Sequence, residues 1–74
     1  MIDETEKSYL AQLGKKISER RKAKKLSQQK LAELCQMEKA NLSRIESGKT
    51  NSTVLTLKKI AFQVCDSFPE LFME

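Results

Sequence analysis

The 74-residue chain has no histidine, one proline, two glycines and two cysteines. Each scarcity excludes something. Without histidine there is no imidazole for acid–base work or for a zinc site. Cys35 and Cys65 show no CxxC spacing, so they read as small apolar core residues rather than metal ligands or a redox pair. So little proline and glycine leaves few turns for a β-rich fold. There is no nucleophile–base pair, paired carboxylate or Gly-rich phosphate loop, so an enzyme is not expected. No apolar run approaches the ~18 residues of a membrane span. The opening MIDETEK is acidic and lacks the basic start and apolar centre of a secretion signal. These absences predict a cytoplasmic protein with no metal, cofactor or small-molecule ligand.

What is present is helix-forming and charged. Hydrophobic residues make up 39% and charged ones 32%, with Ala, Leu, Lys, Glu and Gln prominent. We expect one all-α domain over residues 1–74, a compact bundle of about five short helices. A chain this short buries only about 60% of the surface its unfolded form exposes, so its stability margin is thin. Fourteen Lys and Arg oppose ten Asp and Glu, giving +4. Lys15, Lys16, Arg20, Arg21, Lys22, Lys24 and Lys25 crowd together, while Asp3, Glu4 and Glu6 precede them. Such a patch suits an anionic partner, although a solvated helix face carries the same charges.

Periodicity places the elements. The first helix spans about 5–24, with Leu10, Leu13 and Ile17 on one face. At about 100° per residue from Leu10, Ile17 lies at about 340° and Arg21 at about 20°. Arg21 therefore points at the core and needs a partner, while Arg20 sits at the edge of the stripe. Ser27 is a natural N-cap for a helix over about 28–35, whose inward face we expect from Leu31, Leu34 and Cys35. With Lys30 at the third helical position the cap is one-sided. A third helix, Lys39–Glu46, turns Leu42 and Ile45 inward, and Gly48 ends it. Thr53 caps a fourth, Val54–Val64, with Leu57, Ile60, Ala61 and Val64 inside. Ser67 caps a short last helix over 68–73.

Two short helices joined by about three residues form the outline of a helix-turn-helix, here at about 27–47. The second helix carries Ala40, Ser43, Arg44 and Ser47 opposite its core face. Small residues allow close approach to a surface, and Arg44 can reach a guanine edge with two hydrogen bonds. A plain amphipathic helix with small surface residues would look the same.

The stretch LSQQKLAELCQMEKANLSRIESGK resembles the Cro/repressor, or Xre-type, helix-turn-helix family of bacteria and phages. Leu26, Ser27, Gln28, Leu31, Ala32, Leu42, Ser43, Ile45, Glu46 and Gly48 match its pattern in register, and the likeness extends over about 10–72. It implies a lambda-repressor-like fold and sequence-specific binding of double-stranded DNA. Lys39, Ala40 and Arg44 take the family's base-reading positions, with Asn41 beside them. Gln28 matches its phosphate-binding glutamine. Ser43, Ser47, Lys49, Thr50 and Asn51 are placed to touch the DNA backbone. Glu46 matches an acidic residue that pairs with an arginine at the Arg21 position, a structural ion pair. The chain departs from the pattern at Gln36 and Cys65, where glycine is usual, and at Glu38, where Ser or Thr is.

One recognition helix reads too few base pairs to find a site, so the resemblance implies a homodimer on a palindromic operator. Leu55, Phe62, Phe68, Leu71, Phe72 and Met73 exceed what so small a core needs and are candidates for its interface. The expected role is a small transcriptional regulator, with repression, including that of its own gene, as the leading form. The competing reading is a protein-interaction module, antitoxin-like, with DNA binding secondary.

Overall fold

Asp3 and Glu6 cap each other. The Glu6 N–H donates to Asp3 Oδ1 at 2.8 Å, and the Asp3 N–H donates to Glu6 Oε1 at 3.0 Å. This capping box starts α1, Glu4–Ala23. The computed structural model describes residues 3–65 and 67–72. Among these, α1 is followed by α2 (Gln28–Leu34), α3 (Lys39–Glu46), α4 (Val54–Val64) and a short 3₁₀ helix (Phe68–Phe72), with no strand. The all-α expectation holds. Its fifth member is a 3₁₀ helix rather than an α-helix, and Met73 lies outside the described residues.

Side-chain caps start two of the later helices. Ser27 Oγ accepts from the Lys30 N–H at 3.0 Å, and Thr53 Oγ1 accepts from the Thr56 N–H at 3.2 Å. Glu38, at the start of α3, makes no such bond.

The first three helices end alike. The Leu26 N–H donates to Arg21 O and the Lys25 N–H to Lys22 O; Met37 and Gln36 donate to Ala32 O and Glu33 O; Lys49 and Gly48 donate to Arg44 O and Ile45 O. Each is a Schellman motif, which needs a left-handed residue just past the helix. Gly48 supplies it at φ +73°, while Lys25 and Gln36 adopt φ +61° and +57° despite their side chains. The motif turn thus keeps its usual shape without glycine. Cys65, by contrast, is extended at φ −123°.

The core joins Ile17 of α1, Leu31, Ala32 and Cys35 around α2, Leu42 and Ile45 of α3, Leu57, Ile60, Ala61 and Val64 of α4, and Leu71. One expected core residue is displaced. Leu34 is 41% exposed, and Ala32 is buried in its place. Around α2, Ala32 and Cys35 lie at about 100° and 40° from Leu31, whereas Leu34 lies at about 300°, outside the sector the core covers.

The tail folds back onto the bundle. Leu71 is buried and Phe68 packs against the core margin, with its ring edge-on to Phe72 at 5.3 Å. Leu71 therefore serves the monomer core, which corrects its reading as surplus for an interface, while Phe68 stays half-buried at the margin. Arg20 pairs with Glu70 at 3.3 Å and ties this segment to α1.

Candidate nucleic-acid interface

The orientation of α3 rests on Glu46. Arg21 Nε donates to Glu46 Oε2 at 2.8 Å and Nη2 donates to Oε1 at 3.1 Å. Its third bond, from Nη1, reaches Leu26 O at 2.8 Å. This fork-on-fork pairing is geometrically selective, and both side chains are nearly buried. Gln28 joins the network through Nε2, which donates to Glu46 Oε1 at 2.9 Å. One carboxylate thus binds α1, α2 and α3 together. The link from Gln28 to Glu46 had no sequence signal, because residues eighteen apart meet only through the tertiary fold.

Gly14 sets the distance between α1 and α3. A Cβ there would stand 2.5 Å from the Ile45 carbonyl oxygen and closer still to that of Glu46. A glycine inside a helix costs about 1 kcal/mol relative to alanine. Here that cost accompanies a backbone-to-backbone approach no side chain allows.

With Leu42 and Ile45 turned in, α3 presents Ala40, Arg44 and Ser47 to solvent, with Ser43 half-buried beside them. Lys39 is exposed on one flank and Asn41 half-buried on the other. Ser47 Oγ donates to Ser43 O at 2.8 Å, so its proton is held within the helix. Past the helix, Lys49 and Asn51 are exposed and Thr50 is half-buried. Gln28 is half-buried, and its amide is turned toward Glu46. Of the expected contact residues, Lys39, Ala40, Asn41, Ser43, Arg44 and Ser47 thus occupy the outer face and flanks of α3, Lys49, Thr50 and Asn51 follow it in the chain, and Gln28 faces the ion pair. Among the described residues, neither Arg44 nor Lys49 has a carboxylate within ion-pair distance.

A cleft of about 680 Å³ opens between α3 and α4. Ala40, Asn41 and Arg44 form one wall and Thr56 and Lys59 the other, with Glu38 near the end. The sequence reading did not single out Thr56 or Lys59. A lysine on an amphipathic helix gives no sign of which neighbouring helix it faces.

Neither thiol is tuned for reactivity. Burial pushes the Cys35 thiol up, partly countered by the Lys59 charge. Burial, then the Glu70 carboxylate, pushes Cys65 up, against Arg20 and Lys16. No group of His, Cys, Asp and Glu able to hold a metal exists among the described residues. No described helix is long and apolar enough to cross a membrane.

A family model described as helix-turn-helix matches residues 17–61. Among solved structures, the restriction-modification controller protein C.AhdI from Aeromonas hydrophila is 32% identical and superposes with a TM-score of 0.82, covering 85% of this chain and 96% of that one. An HTH_3 family transcriptional regulator from Vibrio cholerae is 33% identical, also at 0.82. The match takes in 90% of this chain but 38% of that regulator. No curated protein matches.

Proposed function

Because the chain belongs to the helix-turn-helix family of DNA-binding transcription regulators, we propose that it is a sequence-specific repressor. It acts as one domain over residues 1–74 and docks α3 in the major groove. The observation that carries this reading is the outer face of α3. It offers Ala40 and the serines for close approach and Arg44 as a long cation with no carboxylate within ion-pair distance among the described residues, while the helix's own acid, Glu46, is turned away to Arg21.

In this reading Arg44, Lys39, Ala40 and Asn41 read base edges. Arg44 suits the two acceptors of a guanine, and the Ala40 methyl suits a thymine methyl. Lys49, Thr50, Asn51 and Ser43 hold backbone oxygens. Ser47 joins them by releasing its bond to Ser43, and Gln28 through the second N–H of an amide already oriented by Glu46. The coverage of the controller protein over nearly its whole length favours a small regulator of that kind. Pairing through Leu55, Phe62 and Phe72 would make a homodimer on a palindromic operator, and an operator beside its own gene would make it autoregulatory.

The test is Arg44→Ala on a duplex carrying the selected site and on its single-base variants. The fold is expected to persist. Discrimination at one base position should drop by about 1–3 kcal/mol and other positions should be unaffected. Lys49→Ala should instead weaken binding to every sequence alike. Unchanged selectivity in Arg44→Ala would refute base readout by α3.

A further inference from the structure

An α-helix with its side chains is about 10–12 Å across, close to the ~12 Å width of the major groove. When a helix fills the groove, the two sugar–phosphate strands must pass along its two flanks. Lys39 and Asn41 lie on opposite flanks of α3, about 200° apart around the helix. On the Lys39 side, Glu46 is bonded by Gln28 at the start of α2. The Asn41 flank opens into the cleft whose far wall is α4.

We propose that this cleft is a second backbone-binding site, in which Lys59 of α4 neutralises a phosphate of the strand passing along the Asn41 flank. The proposal rests on the DNA-binding reading above and adds a helix to it. Three features support it. Lys59 is exposed, and among the described residues no carboxylate lies within ion-pair distance of it or of Arg44 across the cleft. Asn41 and Thr56 add neutral groups that can donate to phosphate oxygens between the two cations. Lys59 also lines the cleft together with Cys35 and Gln36 at the end of α2, so it borders the motif. Glu38, at the α3 start, is the one acid of the lining, against the two cations Arg44 and Lys59.

The experiment compares wild type, Lys59→Ala and Lys58→Ala on a mixed-sequence B-form duplex across a salt titration. Lys58 is the neighbouring exposed lysine; it lines only the adjoining groove beside Phe62, whereas Lys59 borders both that groove and the cleft. Circular dichroism checks that both variants keep their helices. Losing one phosphate contact lowers the slope of log affinity against log salt by about 0.9. Between 50 and 200 mM salt, Lys59→Ala should therefore lose about 3.5-fold less affinity than wild type, with Lys58→Ala behaving as wild type. An unchanged slope in Lys59→Ala, or an equal change in both variants, overturns the cleft while leaving the DNA-binding reading intact. A wild type that binds no duplex in a salt-dependent way overturns both.

Discussion

Gly14 touches the backbone of Glu46, the residue whose side chain holds Arg21 about two turns further along the same helix. Contact and ion pair act together. The first brings α1 and α3 to their closest approach, and the second fixes their rotation. The orientation of α3 depends on both.

Gly14→Ala tests the contact. In a free helix the change would gain about 1 kcal/mol. Here the added methyl meets two backbone carbonyls that have no rotamer to escape into. Overpacking costs about 1–3 kcal/mol, so a net loss is expected. For a domain of this size each kcal/mol moves Tm by about 4–8 °C. A Gly14→Ala protein that melts higher than wild type would place the two helices further apart than described here.

Arg21→Ala and Glu46→Ala test the pair. Each leaves a nearly buried charge without its partner, at about 3–5 kcal/mol. Arg20→Ala is the contrast. It releases Glu70 at a surface where the Arg20 side chain is 40% exposed, and such pairs are worth about 0.2–1 kcal/mol. Urea titrations of the three should therefore separate two large losses from one small one. Similar losses in all three would mean the buried pair adds nothing beyond a surface one.

The helix ends were legible because their signals are local. Ser27, Thr53 and Gly48 act within four residues of themselves, and α3 and α4 fall where spacing puts them. The inward turn of Arg21 was legible too, since α1 is long enough to define a stripe. Leu34 was misread because α2 has only seven residues. Two leucines and a cysteine define no face until it is known where α1, α3 and α4 lie. The close approach at Gly14, the bond from Gln28 to Glu46 and the place of Lys59 beside α3 were invisible for the same reason. What each does depends on a partner in another helix, and nothing in their local sequence names it.

Gln36 and Lys25 hold left-handed conformations that cost a residue with a Cβ about 1–2 kcal/mol. Glycine would relieve this, less the roughly 0.5–1 kcal/mol it loses in chain entropy. Gln36→Gly should therefore stabilise by about 0.5–1 kcal/mol, visible as a Tm rise of a few degrees. Gly48→Ala should do the opposite, and more strongly. At φ +73° its Cβ would also stand 2.6 Å from the Ala11 Cα. A destabilised Gln36→Gly would show that the glutamine side chain supports the turn.

The raised Cys35 thiol makes a prediction about alkali. Burial lifts it above the ordinary value of 9.0, so the fold favours the protonated thiol. That contribution is complete below pH 9.0 and is lost as pH rises through the folded value. Wild type should therefore lose melting temperature above pH 9.0 more steeply than Cys35→Ala, though the variant starts lower for want of the sulfur. Equal slopes would assign the alkaline loss to other groups.

Phe62 is 84% exposed and Leu55 66% exposed, seven residues apart on one stripe of α4. Neither contributes to the core, so Phe62→Lys should leave the monomer's stability within about 0.5 kcal/mol of wild type. In a two-fold assembly every substitution appears twice near the axis, and two lysines there repel. The variant should then sediment as a monomer at micromolar concentration with its helical circular dichroism intact. On a palindromic duplex its affinity should collapse toward that for a half-site, because the second domain's contacts are no longer tethered to the first. Phe72, 58% exposed, offers an independent check, since Phe72→Lys should weaken the same assembly if the tail borders the interface. A wild type that is monomeric at those concentrations, or a Phe62→Lys dimer as tight as wild type, would remove α4 from the interface.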